Sequence, residues 1–268
     1  MTNTDTSQQN EVENEEELYR VPDVNALSFD DLKVCLDQGV SDFRKAPLFG
    51  LFFGGIYAFG GILIVQSFIA FEKGWLIYPV MVGFPLIGPF VAVGLYDVSR
   101  RLQAGQPLVW NEILSVINRQ TSRQLPYMAF VMLFIFWIWI YQVRLLIALF
   151  LGRMSFPDFE TFFQLITTTP QGWAFIGVGH VVGAGFSLVL FSLTVVSIPL
   201  ILDRDVDFIT GMITSVKAVI KSPFVMLSWG IFVTLAVIAS FIPLFLGLLV
   251  VLPVLGHTTW HIYKKIVI

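Results

Sequence analysis

Long apolar runs, separated by short polar segments, dominate the chain from residue 48 onward. A helix crosses a bilayer with about 20 apolar residues, so each run is long enough for at least one crossing. The last run, 223–263, has no Lys, Arg, Asp or Glu and predicts two helices with a turn at Ile242-Pro243. The pattern predicts an all-α, polytopic membrane helix bundle with six spans, at about 48–71, 76–96, 126–151, 173–202, 223–242 and 244–263.

The first 27 residues differ from the rest of the chain. They contain seven acidic residues against one basic residue, Arg20, and few apolar ones. Such a segment buries too little apolar surface to offset the entropy lost on ordering. We expect residues 1–27 to be a disordered acidic cytoplasmic tail and residues 28–268 to be one six-span membrane domain.

Composition supports this class of protein. Hydrophobic residues make up 56% of the 268 residues and charged residues 13%, whereas soluble domains are about one quarter charged. The net charge of −3 divides into an acidic tail and a membrane domain with a small excess of bases. Ordinary soluble folds, disordered chains and disulfide scaffolds are excluded, and the single cysteine, Cys35, allows no intrachain disulfide.

The distribution of Lys and Arg predicts the orientation, because cytoplasmic loops carry the excess of these residues. Only Lys73 and Arg153 fall on the side opposite the N-terminus. The N-terminal side holds Arg20, Lys33, Arg44, Lys45, Arg100, Arg101, Arg119, Arg123, Arg204, Lys217, Lys221, Lys264 and Lys265. We therefore expect both termini to be cytoplasmic.

Three segments share one layout, in which an amphipathic helix and a basic residue precede a proline and a span. Residues 4, 7, 11 and 15 positions before Pro47 and before Pro223 are all apolar, which places them on one helix face. The segment before Pro126 has its apolar stripe in a shifted register. The pattern suggests three two-span repeats, each preceded by an amphipathic cytoplasmic helix at the lipid interface; chance amphipathicity is the alternative.

One outer loop, 152–172, carries Phe156, Phe159, Phe163 and Ile166 at helical spacing. This spacing predicts a short helix lying in the outer interface, where aromatic rings favour headgroup depth. A docking surface for a partner, or a lid, is the alternative interpretation.

Ionisable groups inside or beside the spans are candidates for transport or partner binding, because such groups are costly in hydrocarbon. They are Arg144, His180, Asp97 and Asp203. The competing interpretation is that Arg144 extends to the outer headgroups and that the two aspartates pair with the arginines beside them in the sequence.

His257 and His261 are spaced i and i+4 and so share one face of span six. This spacing suits a metal, and a histidine from another helix would complete a haem site. His180 is the remaining histidine, but its estimated depth differs from that of His257 by roughly 8 Å. We favour polar anchoring between helices and expect no cofactor, with haem or metal binding as the alternative.

Small residues mark predicted helix contacts. Gly50 and Gly54 in span one, and Gly179 and Gly183 in span four, have the small-xxx-small spacing that allows helix backbones to approach closely.

Three segments resemble a known family. They are residues 85–101 (PLIGPFVAVGLYDVSRR), 197–204 (SIPLILDR) and 253–265 (PVLGHTTWHIYKK). They are similar to proteobacterial integral membrane proteins that form a domain of unknown function, and the resemblance covers roughly residues 28–265. It implies an inner-membrane location but no activity, substrate or catalytic residue. Some members are labelled cytochrome c oxidase subunit I-like, but such a subunit needs about twice the spans and more ligand histidines than the three found here.

The function favoured by these features is a non-enzymatic scaffold, or an assembly and support partner of a membrane complex. A small-solute or ion transporter or channel built from two-span repeats is the alternative, and a haem- or metal-binding membrane protein is less favoured. We find no phosphate loop, paired-cysteine motif, nucleophile elbow or nucleic-acid module. The expected partners are the lipid bilayer and other membrane-protein subunits, with no nucleic acid.

Overall fold

The computed structural model describes residues 21–71, 91–121, 123–152 and 159–268, and their regular secondary structure is helical. The helices are α1 (Phe29–Lys45), α2 (Pro47–Phe71), α3 (residues 91–103), α4 (Trp110–Thr121), α5 (Leu125–Phe150), α6 (Phe159–Thr168), α7 (Pro170–Thr194), α8 (Ser197–Asp203), α9 (Phe208–Lys221), α10 (Pro223–Phe241) and α11 (Leu248–Ile266). The all-α class predicted from the sequence is therefore confirmed for the described residues.

Three helical segments in the described ranges are long and apolar enough to cross a membrane. They are α5, the segment Pro170–Asp203 formed by α7 and α8, and α10. A fourth candidate joins α1 to residues 47–63, but these two helices meet at 100°. Seven of the 17 residues of α1 are charged. Of the two helices in this bent pair, we therefore treat α2 alone as suited to the bilayer interior. The predicted span 76–96 lies mostly outside the described residues.

Two helix–proline–helix junctions have the same local geometry. The α1 helix begins after a Ser28–Asp31 capping box, and its C-cap is Ala46, whose φ and ψ are −130° and 51°. The α9 helix begins after its N-cap Asp207, and its C-cap is Ser222, whose φ and ψ are −137° and 61°. The next residue in each case is a proline, which lacks the N–H that would continue the first helix and is well suited to begin the second.

The predicted fourth span is interrupted. Its helix stops at Thr194 and resumes at Ser197, so the run is α7 followed by the short α8. At the break, the backbone N–H of Val196 donates to Oγ of Ser215 over 3.1 Å. This side chain from α9 supplies the acceptor that the interrupted helix no longer provides.

The turn predicted at Ile242-Pro243 is longer than two residues. The α10 helix ends at Phe241 and α11 begins at Leu248, four residues later than the predicted start of span six. Leu244 and Phe245 have φ values of 52° and 66°, in the left-handed region, and these angles reverse the chain direction.

The chain divides into two compact units. The first comprises 1–130 and 192–268, and within it α11 packs against α1 and α2. A hydrophobic core around Phe49, Phe53 and Leu95 joins α2, α3 and α4. The close approach of α1 to α11 depends on Gly39, because a Cβ there would lie 2.7 Å from the backbone nitrogen of Thr258.

The second unit comprises 131–191 and is described by itself. In it, the rings of Trp139 on α5 and Phe186 on α7 lie 5.8 Å apart. The short helix α6 confirms that the loop at 152–172 contains a helix. Gly172 packs against α6, since a Cβ there would lie 2.5 Å from Cα of Ile166.

The described residues include seven positions of the predicted tail, 21–27, which are not helical. The backbone N–H of Asn25 donates to the carbonyl of Ile266 over 2.7 Å, and that of Leu27 donates to Oγ of Ser222 over 2.7 Å. Val24 also forms an isolated antiparallel bridge with Val267. This segment is therefore attached to the C-terminal end of α11 and to the junction between α9 and α10.

Candidate functional site

A buried cluster of polar side chains lies where α1, α3 and α11 meet. It consists of Asp42, Ser99, His257 and His261, and we call it the polar cluster. All four residues are buried, and Ser99 and His257 have no solvent-exposed surface. Buried polar groups are uncommon unless they are hydrogen-bonded, so their partners define what this site can do.

Small residues on α1 bring the cluster together. The buried face of α1 consists of Cys35, Gly39 and Asp42, spaced so that all three point toward α11. Gly39 allows α11 to approach at Thr258, and this approach places Asp42 opposite His261. His257 lies one turn earlier on α11 and faces Ser99 of α3.

Two short hydrogen bonds hold the cluster. Nε2 of His261 donates to Oδ2 of Asp42 over 2.7 Å. Oγ of Ser99 and Nδ1 of His257 are also 2.7 Å apart. The other ring nitrogen of His257, Nε2, is buried and has no hydrogen-bond partner among the described residues.

The environment of Asp42 favours its ionised form. Burial opposes ionisation, but hydrogen bonds from His261 and Ser99 and the nearby histidine rings outweigh it, so the pKa of the Asp42 carboxyl is lowered.

A second contact between α1 and α11 lies nearer the surface, where Nζ of Lys265 is 2.9 Å from Asp31. Hydrogen bonds from Ser28 and Lys265 lower the pKa of Asp31 to about 2.

The burial of the polar cluster and its internal hydrogen bonds determine which chemistry it can perform. Aspartate, histidine and serine are the residue types of nucleophilic catalysis, but here the carboxylate binds one histidine and the serine binds the other. Because Ser99 is fully buried, its hydroxyl is not presented to a substrate. The arrangement joins three helices and holds a proton between Asp42 and His261.

Metal or haem ligation by the predicted histidines would begin from His257, since His261 already uses Nε2 to bind Asp42. In the described ranges there is no group of three or more His, Cys, Asp or Glu side chains that could hold a metal ion. His180 belongs to the other compact unit.

Asp97 lies at the centre of a second, charged network. Its carboxylate is fully buried and accepts from Nε of Arg100 at 2.9 Å and from Nε of Arg101 at 2.8 Å. Arg101 also pairs with Glu112 of α4 and donates to the carbonyl of Pro107 over 3.3 Å. The local pairing with arginine that the sequence suggests for Asp97 is thus observed, and it extends to the next helix.

Asp203 has different partners from those expected. Its Oδ2 accepts from the hydroxyl of Tyr263 at 2.6 Å and from Nζ of Lys264 at 3.1 Å. Its neighbour Arg204 instead donates to the backbone carbonyl of Ile268 over 2.8 Å. The last turn of α11, about 60 residues away in sequence, therefore supplies the counter-charge, which adjacency in the sequence does not predict.

Arg144 and His180 both lie in the second unit and both are exposed. Nδ1 of His180 is 2.8 Å from the carbonyl of Ile176, one turn earlier on the same helix. The exposed face of α5 that includes Arg144 also carries aromatic residues at alternating spacings of three and four, namely Phe130, Phe134, Trp137 and Tyr141. We call these four residues and Arg144 the aromatic stripe.

The predicted packing glycines have different surroundings. A Cβ on Gly54 would lie 2.9 Å from the carbonyl oxygen of Leu248, so α2 and α11 touch backbone to backbone there. Gly50 faces the rings of Phe43 and Pro253, and Gly183 faces Trp139. A Cβ on Gly179 would meet nothing within 4 Å in the described part of the chain.

Sequence reasoning did not identify Asp42 or Ser99. Asp42 lies off the apolar stripe of α1, on the side where small residues occur. The buried small residues Cys35, Gly39 and Ala46 lie 12, 8 and 1 positions before Pro47. The position of Asp42, at helical spacing among these small residues, was the sequence signal that could have identified it as a buried polar residue.

Comparison with known proteins agrees with this architecture. Residues 77–203 match a family model described as "Predicted integral membrane protein (DUF2189)". The resemblance inferred from sequence motifs is confirmed for this region, which includes 85–101 and 197–203, whereas 253–265 lies beyond it. No curated protein and no solved structure matches the chain. The family match and the apolar helices together identify an integral membrane protein.

Proposed function

We propose that this chain is a non-enzymatic protein of the bacterial inner membrane that supports a membrane complex by binding a transmembrane helix of another subunit. The observation that carries the proposal is the aromatic stripe on α5. Trp137, at its centre, is 52% exposed and has no hydrogen-bond acceptor among the described residues.

The spacing of the stripe suits a helical partner. Alternating steps of three and four residues keep side chains along one seam of a helix, as in paired helices. Trp137 lies about 18 Å along α5 from Leu125, near the middle of a span of about 30 Å. An indole N–H at that depth is better satisfied by an acceptor from another protein than by lipid tails. Aromatic residues and arginine are also the residue types that dominate protein interfaces.

The internal pairing of the charged residues supports contacts rather than transport. Asp97 is neutralised by Arg100 and Arg101, and Asp203 is paired with Lys264 and accepts a hydrogen bond from Tyr263. A coupling ion or charged solute would have to displace these partners, and separating the buried Asp97–Arg101 pair costs about 3–5 kcal/mol. The remaining candidates, Arg144 and His180, are on exposed faces.

Photo-crosslinking in living cells tests this proposal. A photoreactive phenylalanine analogue at Trp137 should form a crosslink to another membrane protein. The matched control is Ile238 of α10, which is 55% exposed but lies outside the stripe, and it should give little or none. Crosslinking only to a second copy of the chain, or equally at both positions, would contradict the proposal.

The proposal includes six spans with both termini in the cytoplasm, arranged as two-span repeats. The matched junctions at Pro47 and Pro223 support the repeat for the first and third units. Single cysteines in a Cys35→Ser background test the topology. Cysteines at Lys73 and Arg153 should react with an impermeant maleimide in intact spheroplasts. Cysteines at Lys33 and Lys221 should react only after permeabilisation.

The second candidate function is a small transporter, and the same matched junctions favour it, because many transporters are built from internal repeats. Ser99→Cys in the Cys35→Ser background distinguishes the two candidates. A transport pathway through the polar cluster predicts that this cysteine reacts with water-soluble reagents. The contact proposal predicts that it stays unreactive while the protein is folded.

A further inference from the structure

The α9 helix has an arrangement of polarity opposite to that of a helix on a water-soluble protein. Its buried face consists mainly of small and polar residues: Thr210, Gly211, Thr214, Ser215, Ala218 and Val219. Its exposed face carries Ile209, Ile213 and Ile220, and Ile220 is 71% exposed. Three isoleucines on one exposed face are favoured when the surrounding medium is apolar.

Contacts within the chain fix this orientation. Ser215 accepts from the backbone N–H of Val196 at the break between α7 and α8. A Cβ on Gly211 would lie 3.3 Å from Cβ of Ser197 and 3.2 Å from Ile201, so α8 covers this side closely. The helix therefore cannot turn its isoleucines inward without losing these contacts.

Two lysines border the isoleucine face. Lys217 and Lys221 are exposed, lie in the C-terminal half of α9 and are absent from the ion pairs of the described residues. The apolar face continues into α10 through Phe224 and Ile231, which are exposed on a helix apolar enough to cross the membrane. Isoleucines adjoining a lipid-facing helix, with lysines at the margin, match the boundary between acyl chains and phosphate groups.

We infer that α9 is a binding site for anionic phospholipid, with Ile209, Ile213 and Ile220 in the acyl boundary and Lys217 and Lys221 on the lipid phosphate. Charge complementarity and continuity with α10 favour lipid over a second copy of the chain. The inference requires only a membrane location, so it stands or falls separately from the partner proposed for the aromatic stripe.

The corresponding helix α1 provides the contrast. It precedes Pro47 as α9 precedes Pro223, but its exposed positions include Asp30, Lys33 and Asp37. Acidic residues among the bases would repel an anionic headgroup. Lipid binding is thus assigned to α9, and α1 supplies the control.

Native mass spectrometry of the full chain, released from nanodiscs of phosphatidylcholine and phosphatidylglycerol, tests the inference. The natural chain should retain phosphatidylglycerol selectively. Each surface lysine contributes about 1 kcal/mol to attraction for anionic lipid, so Lys217→Gln with Lys221→Gln should reduce retention roughly 30-fold. The matched pair Lys33→Gln with Lys45→Gln should change it less than threefold. Equal retention by the two double variants would overturn the inference.

A second measurement tests the position of the helix without removing a charge. Ile213→Cys in the Cys35→Ser background is labelled with a fluorophore in nanodiscs that contain nitroxide-labelled lipids. Nitroxides near the headgroup should quench the label more strongly than a water-soluble quencher. Stronger quenching from water, or a disulfide between two copies at position 213, would contradict lipid binding by this face.

Discussion

His261 and Asp42 are 219 positions apart in the chain, but Nε2 of the histidine lies 2.7 Å from Oδ2 of the aspartate. This hydrogen bond connects α11, the last helix, to α1, the first described helix. Beside it, Gly39 allows the backbone of α1 to approach Thr258 closely. The stability of the first unit should therefore depend on this contact.

Replacing the carboxylate tests the hydrogen bond directly. Asp42→Ala leaves the buried Nε2 of His261 without its acceptor, and we expect a loss of about 2 kcal/mol in the free energy of unfolding. Thermal unfolding of the purified protein in detergent measures the effect as a lower Tm. Asp37→Ala changes an exposed aspartate on the same helix and should leave Tm nearly unchanged. Equal shifts for the two variants would show that the buried bond contributes little.

Gly39→Ala should also destabilise the protein. The added Cβ would lie 2.7 Å from the nitrogen and 3.0 Å from Cα of Thr258, so α1 and α11 would have to separate. We expect a loss of about 1–3 kcal/mol, as for other overpacked sites. Gly179→Ala adds the same methyl group where nothing lies within 4 Å, and should be neutral or slightly stabilising because alanine favours helix. A stable Gly39→Ala variant would contradict the close helix contact.

Much of the helical architecture could be predicted from the sequence, because apolar periodicity and proline mark helices locally. Pro47 and Pro223 are the first residues of α2 and α10, as the junction pattern predicts. The interruption at Val195 and Val196 was missed, although Ser197 and Pro199 lie just beyond it. An apolar run does not reveal where a helix is interrupted when the free backbone N–H at the break donates to a distant side chain, here Ser215.

The side-chain pairs between residues that are distant in the chain could not be predicted from the sequence. The sequence places Asp203 beside Arg204, but its observed partners are Tyr263 and Lys264. The choice depends on how α11 packs, and one sequence carries no direct record of that packing. For the same reason Asp42, a central residue of the polar cluster, was not a candidate, whereas the shared face of His257 and His261 followed from helix geometry.

The thiol of Cys35 should be nearly unreactive in the folded protein. Burial, with a contribution from Asp31, raises its pKa to about 11, so at neutral pH it is protonated as well as inaccessible. Maleimide labelling at pH 7.5 should be at least tenfold slower in the folded than in the denatured protein. Val34→Cys combined with Cys35→Ser moves the thiol to an exposed neighbouring position and should label rapidly. Rapid labelling of native Cys35 would mean that α1 separates readily from α11.

Removing the Asp97 carboxylate should be among the most damaging single changes. Asp97→Ala leaves the buried Arg101 without its buried counter-charge, and breaking such a pair costs about 3–5 kcal/mol. Loss of folded protein by size-exclusion chromatography, or a large fall in Tm, is the expected result. Glu112→Gln removes a half-exposed partner of the same arginine and should cost less than about 1 kcal/mol. If the two variants are equally stable, the network around Asp97 is not structurally important.

Affinity purification of the chain from native membranes in a mild detergent tests the proposed function most directly. We predict recovery of at least one other membrane protein in near-stoichiometric amount, and its loss when Trp137→Ala and Tyr141→Ala are combined. The folded state of this variant is checked by an unchanged Tm, since both side chains are exposed. Recovery of the natural chain alone, as a monodisperse species of 30.2 kDa plus detergent, would contradict the proposal that it acts through contacts with a membrane complex.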